Sequence, residues 1–243
     1  MLKMANMTGA EQVKKALAKL ASNPKAQSSA RFFKTGPGQY GEGDLFIGVS
    51  VPEQRVVARE FKDLSLVEIS ELLASPIHEH RLTGLMILVE QFKAASEAGK
   101  KKLVKYYLSK SAAVNNWDLV DMTAANIVGA WVLISKEFEL LDKLAASKNM
   151  WQRRIAMVAT WALIREKKLE HTFRLAERFL TESHDLMHKA VGWMLREAGK
   201  RDEKALRKFL DRHVTKMPRT MLRYAIEKFA ASDRAGYLAK KKI

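Results

Sequence analysis

The chain has 243 residues, 47% of them hydrophobic, enough for one sizeable core or a stack of small repeated units. It holds no Cys, which excludes disulfides and thiolate catalysis and fits a reducing compartment. With 43 Lys and Arg against 27 Asp and Glu, a formal net charge of +16, it is suited to a polyanionic partner such as nucleic acid.

The opening "MLKMANMTGAEQVKKALAKL" has no apolar run long enough for a signal peptide, and Glu11 and the lysines make it read as an amphipathic helix. No run approaches the roughly 20 apolar residues of a membrane span. The expectation is a soluble, cytoplasmic protein with no membrane association. Residues 35 to 55, "TGPGQYGEGDLFIGVSVPEQR", carry five of the twelve glycines, Gly36, Gly38, Gly41, Gly43 and Gly48. Their spacing does not match a nucleotide-binding loop, and no strand precedes them. The segment reads as a long connection wrapping a neighbouring helix, with Pro52 in the first turn of the helix that follows. His78 and His80 are two apart, on different faces of a helix, and read as surface residues.

From there on, apolar residues recur at three- and four-residue spacing, as in "LTGLMILVEQF", "IAMVATWALI" and "AVGWMLREA". Short polar turns such as "ASKN" and "KRDE" separate them. The pattern predicts consecutive amphipathic helices. Arg81, Arg154, Lys189 and Arg223 each follow a polar turn and a short lead-in, at intervals of 73, 35 and 34 residues. A period near 35 with two helices per unit predicts an all-α fold, an α-α superhelix of the HEAT-like solenoid kind, as a single domain over 1–243. The four cations would line one concave basic face. The skipped register falls on Asp118. The last 44 residues, from Lys200, add 14 Lys or Arg against 5 Asp or Glu.

The chemistry concentrates at three helix starts. In "NNWDLVD", Asn115 or Asn116 is a good N-cap, and Trp117 and Asp121 at i and i+4 share a face. Asp118 is favoured by the helix dipole and needs no further role. "NMWQRRIA" places Trp151, Arg153 and Arg154 at another start. "HKAVGWMLREAGK" places Lys189, Trp193 and Arg196 along one helix. Trp131, Trp151 and Trp161 lie in or at the entry of apolar helices and read as core. His184 and His188 have the spacing of two zinc ligands, but no third ligand is evident, and no metal is expected there.

These pieces, "WDLVD" at 117–121, "WQRR" at 151–154, "GWMLRE" at 192–197 and the early "ARFFKTGPGQYGEGDLFIGVSVPEQR", resemble in order the bacterial DNA alkylation repair glycosylases of the AlkD type, all-helical proteins of HEAT-like repeats. The resemblance implies excision of positively charged alkylated purines, 3-methyladenine and 7-methylguanine, from double-stranded DNA, without a base flipped into a pocket. It implies that Trp117, Asp121 and Trp193 contact the lesion's deoxyribose, that Arg154 contacts a phosphate, and that Phe32 takes the place of an early aromatic. Two family aromatics fall on Asp185 and Leu186, a departure from the pattern. Lys189, Arg196, Arg81 and Arg223 would hold the backbone. A cofactor-free monomer, nucleoid-associated in a bacterium, is the expected form.

Elementary chemistry agrees with one carboxylate in place of two. A neutral glycoside usually needs an acid for its leaving group and a second carboxylate for the sugar. An N-alkylated purine is already cationic and leaves as a neutral base. Only the positive charge growing on the sugar then needs stabilising, by one fixed carboxylate and by indole faces. The rival expectations are a non-catalytic helical-repeat scaffold for branched or damaged DNA or for RNA, and a protein-interaction scaffold.

Overall fold

The structure is a computed structural model and describes residues 7–240. The first six residues of the helix expected at the start lie outside the described residues. The protein is all-α: among the described residues there is no strand, only one isolated parallel bridge between Leu45 and Ile77. It divides into two compact units, residues 1–123 and 124–243.

In the first unit, α1 (Gly9–Lys19) begins at a capping box in which Thr8 and Glu11 satisfy each other's backbone N–H. The helices α2 (Asn23–Phe32), α3 (Val51–Glu60) and α4 (Leu66–Leu73) follow. Pro52 lies in the first turn of α3, where its missing N–H is harmless, and Glu68 and Ser65 form a capping box on α4. Next comes α5 (His78–Ala94), in which 13 of 17 residues are buried, so it is the core helix of the unit. It packs against α1, α3, α4, α6 (Glu97–Ser109) and α7 (Trp117–Thr123).

The glycine-rich connection between α2 and α3 does wrap a neighbouring helix: it closes over the N-terminus of α5. Leu45 N–H donates to the Pro76 carbonyl, and His78 N–H to that of Leu45, at 3.0 and 2.8 Å. The buried Glu79 carboxylate accepts the backbone N–H groups of Ile47, Gly48 and Val49. Gly48 is required here: its φ is +78°, and a Cβ would lie 2.2 Å from the Ser22 carbonyl oxygen.

The second unit opens with a π-helical turn over Ala125–Gly129, then α8 (Ala130–Ser135) and α9 (Glu139–Ala145). Its two central helices are α10 (Met150–Arg165) and α12 (Asp185–Gly199), separated by α11 (Glu170–Arg178). They pack on each other, and α12 packs on α13 (Glu203–His213) and α14 (Arg219–Ala225) before α15 (Ala231–Ala239) ends the described chain. Gly192 lets α12 approach α14 closely, since a Cβ there would meet the Met221 carbonyl oxygen and the Tyr224 Cβ, each at 2.5 Å. Trp131 is core as expected, whereas Trp151 and Trp161 are half-buried.

One helical stretch, Trp117–Ser135, is by length and composition long and apolar enough to cross a membrane, contrary to the reading of the sequence. With 56% of it buried inside the protein, it has the pattern of a core helix.

The helix starts refine the repeat. Arg154, Lys189 and Arg223 are each the fifth residue of their helices, α10, α12 and α14. The fifth residue of α7 is Asp121, not Asp118, and Arg81 is the fourth of α5. The position held by a cation in the later helices is thus held in α7 by the carboxylate singled out for chemistry.

Candidate active site

The first unit builds a platform of aromatic rings beneath the start of α7. Asn116 is fully buried and caps the helix, its Oδ1 accepting the Trp117 N–H at 2.8 Å. Its amide in turn donates to Asp44 at 3.1 Å. Trp117 is half-buried and stacks on Phe33, with centroids 5.2 Å apart and planes 17° apart. Phe33 stacks on Phe46 at 5.0 Å. Phe32 meets Trp117 edge-on at 5.8 Å and is 64% exposed, so the structure brings these two expected site aromatics together at the surface. Phe33 and Phe46 escaped the reading of the sequence. Their only signal was an aromatic pair just before the glycine-rich connection and a further aromatic within it.

Beside the platform lies a buried charge network, and it corrects the expectations for three basic residues. His78 is 2% exposed, not a surface residue. Its Nδ1 bonds Asp44 at 3.0 Å and its Nε2 bonds Asp118 at 2.7 Å. Two carboxylate acceptors require both ring nitrogens to donate, so the ring is an imidazolium. Burial opposes that charge, but the bonds to Asp118 and Asp44 outweigh it and raise the pKa to about 9. Asp118 therefore does more than favour a helix dipole. Burial by itself would raise Asp44; its bond from His78 and the Arg81 guanidinium prevail and hold it below the usual carboxylate range.

Arg81 is the second correction. It is 4% exposed and committed to Asp44, to Asn115 and to the carbonyls of Ser75 and Pro76. A guanidinium so enclosed braces the α5 start and does not present itself to a DNA backbone. His80 is the third. It too is buried, bonds Ser75 at 2.9 Å, and is held down to about 4 by burial and by the charges of Lys14 and Arg81. Asp121, one turn beyond Trp117, is half-buried. Burial pushes the Tyr107 phenol well up, and the negative charge of Asp121 adds to that.

In the second unit Trp193 is half-buried, with its ring 5.3 Å from that of Trp161, over which Arg165 lies. Arg154 is buried, 4% exposed, and donates to the Leu186 carbonyl, so it is enclosed within its own unit. Lys189 pairs with Asp185 one turn back, at 2.7 Å. Arg196 pairs with Glu197 at 3.3 Å and with Glu227. Arg223 is exposed. His184 caps α12 by accepting the Leu186 N–H, and His188 bonds the Glu182 carbonyl. Among the described residues no group of three or more His, Cys, Asp or Glu is placed to hold a metal ion.

Helices in series, with a cation recurring at the fifth position of α10, α12 and α14, define an all-α protein of the helical-repeat class. A family model described as "DNA alkylation repair enzyme" matches residues 13–229. The chain belongs to this family, and DNA is the partner and repair of alkylation damage the work that membership implies. Among solved structures, a predicted DNA alkylation repair enzyme from Enterococcus faecalis is similar in fold, with a TM-score of 0.70 at 18% identity over 87% of this chain and 97% of that one. No protein of curated function matches significantly.

Proposed function

We propose that the protein is a monofunctional DNA glycosylase that hydrolyses the N-glycosidic bond of positively charged alkylated purines in duplex DNA. Its products are a free base and an abasic site, and it uses no metal or organic cofactor. The protein works as a monomer at the bacterial nucleoid. Lys189, Arg196 and Arg223 hold the backbone, Phe32 flanks the lesion, and Trp117, Asp121 and Trp193 act on the sugar.

The observation that carries this reading is the start of α7, where Phe32 and Trp117 form an aromatic surface and Asp121 stands one turn further on. The alkylated base leaves neutral and needs no proton. As the bond breaks, positive charge grows on the deoxyribose, and the Asp121 carboxylate stabilises it and orients the attacking water. In the ground state the same carboxylate repels phosphates, so its benefit arises mainly in the transition state. The indole faces of Trp117 and Trp193 contribute about 0.5–2 kcal/mol each against the same charge.

One feature favours the rival reading of a non-catalytic DNA-binding scaffold: by the resemblance, Asp185, which pairs with Lys189, stands where the family has an aromatic. Base release from methylated duplex DNA separates the two. Asp121→Asn should lose release by about 10²–10³-fold, with DNA binding retained or tighter. Equal release by both proteins removes Asp121 as the catalytic group, and no release by the wild type favours the scaffold.

A further inference from the structure

Trp117 is supported from two sides, and one side chain touches both supports. Asp118, its neighbour in the first turn of α7, is bonded by His78 Nε2 at 2.7 Å. The aromatic stack under the indole runs from Phe33 to Phe46, and the His78 ring lies 5.0 Å from the first and 4.7 Å from the second, at 36° and 23°. The other ring nitrogen is bonded to Asp44, in the connection that carries Phe46. We propose that His78 is a positioning residue: its doubly bonded ring clamps the first turn of α7 to the connection between α2 and α3, and so sets the direction in which Trp117 and Asp121 project.

The clamp depends on a proton. A neutral imidazole has one donor and one acceptor, so on deprotonation one of the two carboxylates would face a lone pair and its bond would be lost. The charged groups facing His78 are Asp44 from the connection and Asp118 from α7, with Arg81 of its own helix on the far side of Asp44. Together with His78 they sum to zero. Loss of the His78 proton would leave a net negative charge at the base of α7, beside a surface meant for phosphates. The arrangement also explains why a strongly basic protein keeps two carboxylates next to Trp117: Asp118 is compensated by His78 and belongs to the support, not to the chemistry. The His78 cation stacks on Phe46 and lies tilted against Phe33, which strengthens the platform in the manner of a cation–π contact.

The proposal deepens the glycosylase reading, yet its first test stands apart from activity. In the full-length protein, His78→Gln keeps at most one strong bond, and Asp118→Asn keeps the His78–Asp44 bond while removing a charge. Amide hydrogen exchange at residues 117–121 should speed up about tenfold or more in both variants relative to exchange at α10. Single-turnover base release should fall about tenfold or more, with the dissociation constant for methylated duplex changed by less than about threefold. Wild-type release should decline as the pH rises through about 9, and Asp118→Asn should move that decline to lower pH. Unchanged exchange at 117–121 in folded variants overturns the clamp whatever the activity. If the wild type releases no base, the glycosylase reading fails and exchange alone decides. Should His78→Gln not fold, exchange in Asp118→Asn settles the clamp by the same criterion.

Discussion

Arg81 and Asp44 form a buried ion pair, Nη2 to Oδ1 at 2.6 Å, with side chains 5% and 6% exposed. Removing one partner strands the other charge away from water. Arg81→Ala should therefore destabilise the protein by about 3–5 kcal/mol, measured by urea or thermal unfolding. Exposed Arg223 gives the contrasting result. Arg223→Ala should change stability by less than about 0.5 kcal/mol. It should also lower the slope of log affinity against log salt by about 0.9 if that residue meets a phosphate. An unchanged slope would remove Arg223 from the backbone contacts.

The His78 network also makes stability depend on pH. The ordinary value of 6.5 is raised to about 9 in the folded protein, so folding retains a proton that the unfolded chain releases between those limits. The contribution is fully present below pH 6.5 and is lost as the pH rises through about 9. Urea midpoints should fall across that window by an amount equivalent to a few kcal/mol in the wild type, and should be flat in His78→Gln. Asp44 works in the other direction. Its lowered pKa stabilises the fold above the ordinary value of 3.8, and that part is lost as the pH falls below it.

Trp117 and Trp193 should behave differently from Trp131. Replacement of either site indole by Ala should slow base release by about 2–30-fold with modest loss of stability, since a cation–π term of about 0.5–2 kcal/mol is removed. Phe at the same positions should restore part of the rate. Trp131 is 4% exposed, its ring nitrogen donating to Glu137, and Trp131→Ala should instead destabilise by about 3–5 kcal/mol. Paired stability and single-turnover measurements separate the two classes.

Gly192, next to Trp193, tests the spacing of α12 and α14. The added methyl of Gly192→Ala would press on a backbone carbonyl that cannot rotate away. A loss of about 1–3 kcal/mol in unfolding free energy is expected. Unaltered stability would mean that the helices separate freely at this point.

The all-α class was legible because amphipathic helices leave a three- and four-residue apolar period, and the turns between them are short and polar. The Trp117–Asp121 pairing was legible for the same reason: an i, i+4 relation is local and follows from helix geometry alone. The exact register was not. Equal spacing of basic residues pointed to Asp118, whereas the helix starts put Asp121 in the shared position, because capping by Asn116 fixes where α7 begins. Arg81 shows the limit most clearly. In the sequence it is one cation among many, with the same lead-in as Arg223. Which of the two is solvated depends on whether an acidic residue 37 positions away comes back to meet it.

What the sequence determined by itself is therefore local: helices, their faces, their caps, and the net positive charge that draws a polyanion. Tertiary structure decided which charges remain available. Asp44 and His78 are 34 residues apart, in a glycine-rich connection and at a helix start, and neither pattern names the other. Burial and pairing are set by which distant groups the chain folds together, and a one-dimensional period carries no information on that.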